Sequence, residues 1–475
     1  MNPPNTLTCP KAKPFDLKQL VADHHQDRHE LYREFLNPRF IRALSTIGFD
    51  RCYTRGQGAY LWDEEGTRYL DMLSGYGMFN VGRNHPTIKQ AVTDYLDLDD
   101  PWKVQMGATT LPGLLAERLI SLVPHLQKVH FTNSGTECVE AALKFARCAT
   151  QREQIIYCNR AFHGLTYGSL SLNGCESFRE GFMSFLPGPM NIPYGDLDAL
   201  QRALKQRPTA GFVVEPIQGK GVYPASDEFL FGAQELCRQH GALFIMDEVQ
   251  TGMGRTGELF AYQHVPELKP DILLVAKSLS GGMVPVGAVL MQNQVYDKVF
   301  SRLDRCVVHS STFGQGGLAM ACGLATLHIL ETENLIDNAR HLGQHLMEGL
   351  QQCVDDFELC LDVRGKGLMV GIEFGRPKSL GLRTAWSLIH SADGGLFPQS
   401  ITMPLLDRHH ILTQVAGHHV DIIKLLPTLT ITQADVDYFL DAFREVLTEC
   451  HQFPGPAWTT AKHLIGFALK KSGHE

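Results

Sequence analysis

Along the middle third of the chain, short apolar runs alternate with longer stretches whose apolar residues recur every three or four positions. The runs at 128–133, 154–159, 211–216, 242–246, 272–276 and 286–291 are brief, partly β-branched and closed by turn residues, which predicts buried strands. Residues 136–149 and 228–240 carry the helical period. Strands and helices in alternation predict an α/β fold around a largely parallel sheet covered on both faces. The flanks read differently. Residues 49–73 alternate around Glu65-Gly66, predicting a hairpin, and a glycine-rich aromatic loop then leads into a helix from Thr87 to about Leu96. After Gln315 a long, nearly continuous helical pattern passes into a smaller α+β unit. Its predicted strands are 368–374 and 422–426, with a closing helix near 433–450. Residues 23–36 are charged and helix-prone. In the tail, Trp458, Leu464, Ile465, Ala468 and Leu469 are spaced like one helix face suited to docking on the body.

Composition narrows the picture without changing it. A chain of 475 residues can bury a large core and divide into more than one domain. Its 43 basic and 51 acidic residues leave a net charge of −8 with no basic block, so nucleic-acid binding has no electrostatic support. No apolar run reaches the ~20 residues of a membrane span, and residues 1–15 lack an apolar signal core, so a cytoplasmic protein is expected. Twelve cysteines occur without C-x-x-C pairs. Cys138 and Cys148 fall on a predicted helix and Cys158 on a predicted strand, which reads as core thiols in a reducing compartment rather than disulfides or zinc ligands. His409, His410, His418 and His419 cluster without H-E-x-x-H or an acidic loop, so no metal is expected; they either line a substrate entrance or are surface histidines.

The candidate chemistry lies between Ala242 and Gly282. The strand at 242–246 delivers Asp247 and the strand at 272–276 delivers Lys277, both at carboxyl ends, where an α/β sheet places its site. A lone lysine there would read as a solvated strand end. Beside an acid from a neighbouring strand it suggests pyridoxal phosphate: lysine for the Schiff base, acid for the pyridinium nitrogen. Gly252, Gly254 and Gly257 spell G-x-G-x-x-G, but no helix opens there and Asp247 and Glu248 would crowd a pyrophosphate, so a dinucleotide site is not expected. The strand at 128–132 runs through Asn133-Ser134-Gly135-Thr136-Glu137 straight into a helix. Free N–H groups and the helix dipole make that turn a phosphate cup; taken alone, Ser134 or Thr136 would simply cap the helix. Phe162, after the strand at 154–159, can stack on a flat ring or belong to the core. Val249 can form the opposite face, and Gln250 can donate to a ring oxygen.

Six motifs follow one another in order: NSGTECVEAALKFAR, AFHG, EPIQG, DEVQTGMGRTG, AKSLSGG and HSSTFG. With them the chain resembles, from about Asn37 to Leu447, the class III (ω-aminotransferase-like) members of the fold-type I pyridoxal-phosphate enzymes. GYGMFNVGRNHP and the VAG at Val415 are similar to its putrescine/ornithine aminotransferase-like branch. The resemblance implies a large, mainly parallel-sheet cofactor domain and a smaller α+β domain formed by both chain ends. The implied divisions are an arm at 1–40, small-domain parts at 41–95 and 341–455, the cofactor domain at 96–340 and a tail helix at 456–475. It further implies pyridoxal 5'-phosphate held covalently by Lys277, with Asp247 keeping the ring nitrogen protonated. Ser134, Gly135 and Thr136 would grip the phosphate, and Phe162, His163, Val249 and Gln250 would surround the ring. Thr312 would reach the phosphate from the neighbouring subunit of a homodimer with shared sites. Tyr76, Glu215 and Lys424 would meet substrate.

The implied reaction moves an amino group from an amine or ω-amino compound to a carbonyl acceptor, a 2-oxo acid or aldehyde, in two half-reactions. The same cofactor residues would also suit a racemase, decarboxylase or lyase, or a protein that binds the cofactor without turnover. Two departures stand out. Where the family has R-x-x-P-P-L, this chain reads Lys424-Leu425-Leu426-Pro427-Thr428-Leu429, a point charge in place of a bidentate fork. Lys424 can then read a carboxylate weakly, pair with Glu215 and leave an apolar-walled site, or point from a strand edge into solvent. The family's F-G-G-N-P reads Phe313-Gly314-Gln315-Gly316-Gly317, and residues 376–417 form a longer segment than is typical.

Overall fold

Seven strands form the organising sheet, in the order Lys128–Thr132, Gly287–Met291, Ile272–Val275, Leu243–Asp247, Thr209–Val214, Gln154–Cys158 and Pro189–Ile192. The structure, a computed structural model, describes residues 14–102, 104, 107–392, 396–417 and 420–452. Pairing is parallel from Ile272–Val275 through to Pro189–Ile192. Gly287–Met291 alone runs antiparallel to its neighbours, so the other six strands present their carboxyl ends along one edge. Every residue of Thr209–Val214, Ile272–Val275 and Gly287–Met291 is buried, as expected of strands covered on both faces. Successive side chains go to opposite faces. Phe212, Val214, Phe244, Met246, Leu273 and Val275 join one core cluster, while Val213, Ile245, Ile272 and Leu274 join another. Helix Gly135–Thr150 covers the second face through Cys138, Val139, Phe145 and Ala146. Helix Asp227–His240 covers the first through Phe229, Leu230, Ala233 and Cys237.

Several elements depart from the sequence pattern for identifiable reasons. Pro189–Ile192 opens on a proline and has no predicted counterpart; an edge strand tolerates the missing N–H. The single helical stretch after Gln315 is two helices, Gly317–Thr332 and Leu335–Asp356. The break is at Asn334, whose φ of 52° is a left-handed conformation that asparagine adopts more readily than most residues. The smaller sheet has four strands rather than two: Cys360–Lys366, Met369–Phe374, Ile422–Leu425 and Gln414–Val415, all antiparallel. Helices Leu335–Asp356 and Gln433–Cys450 pack beside it. The predicted hairpin is a meander of Tyr53–Gln57, Tyr60–Asp63 and Arg68–Asp71, joined in parallel by Ile411–Leu412.

Residues 14–51 form a separate helical unit of Leu17–Asp23, Arg28–Phe35 and Pro38–Thr46, with Asp16 and Asn37 capping the first and third helices. No described helix is long and apolar enough to cross a membrane. The eleven described cysteines are all free. The tail helix expected at 456–475, like His418 and His419, lies outside the described residues.

Candidate active site

The site forms where the carboxyl ends of the parallel strands meet the smaller sheet. Asp247 ends Leu243–Asp247 and pairs in register with Leu274, so it lies beside the strand that leads to Lys277. Asp247 is buried, its exposure only 4%. One of its oxygens lies 2.7 Å from His163 Nδ1, and the other accepts from Val249 N at 3.0 Å. Burial opposes charge on His163, but the hydrogen bond and charge of Asp247, aided by Glu215, raise its pKa above the usual histidine value. A buried acid and base thus neutralise one another. His163 Nε2 is buried without a partner.

Lys277 follows Ile272–Val275 with φ 42°, a left-handed conformation uncommon for a side chain of this size. It is half-buried, and burial lowers its pKa while Asp247 and Glu215 oppose that shift. Its neutral form is therefore more accessible than that of a surface lysine. At the next strand end, Ser134 caps helix Gly135–Thr150 by accepting from Glu137 N at 3.3 Å, as the capping reading expected. Thr136 Oγ1 bonds to the hydroxyls of Thr166 (2.8 Å) and Ser169 (2.7 Å). A Cβ at Gly135 would lie 2.8 Å from Val249 Cγ1, so glycine is needed for the helix start to approach Val249. The cup and the proposed ring face are thereby brought together.

Phe162 is half-buried, edge-to-face with Phe178 at 5.7 Å, and its N–H donates to Glu215 Oε1 at 3.0 Å. Glu215 Oε2 accepts from Gly219 N at 2.7 Å. Burial raises the Glu215 pKa, although His163 and both N–H groups work against it. Gln250 Nε2 donates to Tyr76 O at 3.0 Å, while its Oε1 is buried without a partner. A Cβ at Gly219 would stand 2.5 Å from that Oε1, so a side chain there would displace the Gln250 amide. Tyr76 sits in a loop with positive φ at Ser74, Gly75, Tyr76 and Gly77, and its hydroxyl accepts from Gln414 Nε2 at 3.0 Å.

Lys424 is not at an edge. Its strand is paired on both sides, to Gly371 and Gln414, and the residue is 6% exposed, which removes the solvent reading. Its Nζ donates to Gly219 O at 2.9 Å. Lys424 and Glu215 therefore meet through the two ends of Gly219 and not as a direct pair. Burial, with the charge of Lys277 nearby, brings the Lys424 pKa down to about 7.

Thr312 is exposed, and the neighbouring Ser311 hydroxyl accepts from Asn133 Nδ2 at 2.7 Å, holding this segment against the turn that carries Ser134. His410 stacks edge-on to Tyr69 at 5.1 Å, and His409 Nε2 lies 3.7 Å from Glu445, so both belong to the packing around Ile411–Leu412. Residues 252–257 form successive turns and open no helix, in line with the rejected dinucleotide reading. Two participants had no distinguishing signal in the sequence. Arg255, fully buried, donates to Leu368 O (3.0 Å), Pro427 O and Asn80 Oδ1, tying this loop to the smaller sheet, and burial lowers its pKa to about 9. Lys220 is the other; its Nζ lies 3.6 Å from the Phe178 ring centre and 5.4 Å from that of Phe162.

These features suit pyridoxal 5'-phosphate. A lysine with an accessible neutral form faces a buried carboxylate, a glycine cradle sits at a helix start, and unsatisfied polar atoms of His163 and Gln250 remain nearby. A family model described as Aminotransferase class-III matches residues 45–447. The putrescine aminotransferase of Pectobacterium atrosepticum is 35% identical over 447 residues, 90% of each chain. Aminotransferase PigE of a Serratia strain is 32% identical over 485 residues and 95% of this chain, which spans 57% of that relative's length. Among solved structures, an ornithine aminotransferase from Toxoplasma gondii with partial occupancy of pyridoxal phosphate superposes with a TM-score of 0.80. It is 28% identical and covers 92% of this chain and 99% of its own.

Proposed function

The chain belongs to the class III aminotransferases, pyridoxal 5'-phosphate enzymes that move an amino group between an amine and a carbonyl compound, and from that premise we propose how its residues divide the work. The donor is an amine or ω-amino compound lacking an α-carboxylate, and the acceptor is a 2-oxo acid. The observation that carries this is Lys424, a buried ammonium bonded to Gly219 O where a bidentate fork would hold an α-carboxylate more tightly. The name of the Pectobacterium relative agrees with such a donor.

Pyridoxal 5'-phosphate, when bound, supplies an electron sink for the charge left on a carbon that loses a proton. Lys277 would hold it, and the Lys277 amine would take that proton as a general base; burial favours the neutral amine this role requires. Asp247, oriented by His163 and Val249 N, offers a fixed negative charge to the ring nitrogen. Ser134, Gly135 and Thr136 receive the phosphate at the start of Gly135–Thr150. Phe162, Val249 and Gln250 would surround the ring. Tyr76, Glu215 and Lys424 face the substrate.

The working unit is a cytoplasmic homodimer in which the exposed Thr312 completes the partner's phosphate site; the free thiols suit a reducing compartment. Membership of the strands in two sheets supports a cofactor-binding part near 96–340 and a smaller part near 341–455. The test is a panel of amines and amino acids in single half-reactions, following loss of the bound cofactor's absorbance. Diamines or ω-amino compounds should rank first. Conversion of α-amino acids alone would overturn the donor assignment. Mixed Lys277→Ala and Thr312→Ala subunits should regain a fraction of the activity, because one hybrid site carries both defects and the other neither. No rescue after verified subunit exchange would place the whole site within one chain.

A further inference from the structure

Glu140 has no part in the scheme above, yet it holds the loop that meets the start of helix Gly135–Thr150. It lies on that helix one turn after Thr136. Its Oε1 accepts from Gly168 N at 2.8 Å and Ser169 N at 3.1 Å, and the Thr166 hydroxyl donates to the same oxygen. Thr166 is the N-cap of the short helix Tyr167–Leu170, but its own hydroxyl makes no capping bond. A threonine in that position ordinarily accepts from the first free N–H groups of its helix. Here Glu140 takes those N–H groups, and the Thr166 hydroxyl lies 2.8 Å from Thr136 Oγ1 instead. The approach is close enough to require Gly164, whose φ is 125°: a Cβ there would overlap Thr136 Oγ1 and Cβ.

Thr136, Thr166 and Ser169 each carry one hydroxyl proton, and their oxygens lie 2.7 to 3.1 Å from one another. A carboxylate only accepts, and a charge-assisted bond is stronger than a neutral one, so the Thr166 proton goes to Glu140. Thr166 Oγ1 then faces Thr136 as an acceptor. Ser169 is fully buried and donates either to Thr136 Oγ1 at 2.7 Å or to Thr166 O at 3.0 Å. Thr136 Oγ1 also accepts from Thr166 N at 3.2 Å. The Thr136 proton therefore has only neutral hydroxyl oxygens among these partners, and an anionic oxygen at the helix start is a stronger acceptor than either. Without the carboxylate the order could reverse. Thr166 would donate to Thr136 and Thr136 to Ser169, which keeps the Thr136 proton inside the chain of hydroxyls.

We propose that Glu140 is a positioning residue for the cofactor, fixing the chain of hydroxyls so that Thr136 offers its O–H to the phosphate. The proposal rests on the reading that the Ser134–Thr136 turn receives that phosphate. The test follows release of pyridoxal 5'-phosphate from holoenzyme challenged with excess deoxypyridoxine 5'-phosphate, an analogue without the aldehyde, together with the 31P resonance of the bound cofactor. Thr136→Val should speed release by about tenfold, as expected for loss of one charge-assisted hydrogen bond. Glu140→Gln puts an amide where the carboxylate stood; it should speed release by about three- to tenfold and shift the 31P resonance. Thr166→Val leaves Glu140 on its two N–H groups and should have the same effects. Because Glu140 acts through the Thr136 hydroxyl, adding Glu140→Gln to Thr136→Val should change release by less than about twofold. If the two effects multiply in full, or the 31P resonance stays in place in Glu140→Gln, Glu140 only holds the loop and the proposal is overturned. Should Glu140→Gln fail to load cofactor, Thr166→Val carries the same comparison with Thr136→Val. Failure of the underlying reading looks different: Thr136→Val itself would then release cofactor at the wild-type rate.

Discussion

The proposed cofactor side and the proposed substrate side of this site are built on opposite principles. On the cofactor side the charges are matched within one sheet: Asp247 and His163 lie 2.7 Å apart, and both follow strands of the seven-stranded sheet. On the substrate side Glu215 acts on Lys220 and Lys424 and is held by backbone N–H groups, and Lys424 arrives from a different sheet to bond a carbonyl. A matched, buried pair is rigid and indifferent to which substrate arrives. An unmatched set is costly when empty and becomes favourable only when a ligand of the right charge completes it. On the proposed assignment, chemistry is fixed on one side and selection is left to the other.

Changes on the cofactor side should disable both half-reactions alike, and the largest effect belongs to Lys277. Lys277→Ala should reduce transamination by about a thousandfold or more, since it removes the base itself. Borohydride treatment of the wild type should attach the cofactor to Lys277, read by peptide mass mapping; labelling at another lysine would contradict the assignment. Asp247→Asn retains size and removes charge. It should lower both half-reactions by about 100- to 1,000-fold, the range for losing one preorganised electrostatic contact. Unequal losses would blur the division between the two sides.

Lys424→Met should separate the sides. A charge-assisted hydrogen bond contributes about 1.5–3 kcal/mol, so the acid half-reaction should weaken by about 10- to 100-fold, mainly through KM. Simple amines should be affected much less. Equal, small effects on both would show that Lys424 does not read the substrate.

The smallest expected effect is on stability against pH. The Lys424 pKa is about 7 in the folded protein and near the ordinary lysine value of 10.5 when unfolded. Between those values the unfolded chain binds more protons than the folded one, so stability attributable to this group rises with pH from about 7 towards 10. Denaturant melts of holoenzyme at pH 7 and pH 9 should show a rise in the wild type that is smaller in Lys424→Met. Equal pH dependence in the two proteins would mean that the Lys424 ammonium is not destabilised in the fold.

The sequence by itself determined where the residues of the proposed cofactor side lie. Asp247, Lys277 and the Ser134–Thr136 turn each follow directly on a short apolar run, and burial on both faces of a parallel sheet makes such runs readable from local pattern. Even there, only the fold joined His163 to Asp247, residues 84 positions apart. The substrate side was decided by tertiary structure. Whether Lys424 meets solvent or Glu215 depends on Ile422–Leu425 being an inner strand of the smaller sheet and on where Gly219 turns, and neither is encoded near Lys424. Lys220 and Arg255 gave no signal because a lysine or arginine beside a glycine has the same local pattern in solvent as in a core. Arg255 is buried by segments more than a hundred residues away, at Leu368 and Pro427, while the Lys220 ammonium is covered by Phe178 and Phe162, which follow a different strand. Local periodicity records which face of an element is apolar; the partner that a buried charge finds across the chain is set only when the two sheets meet.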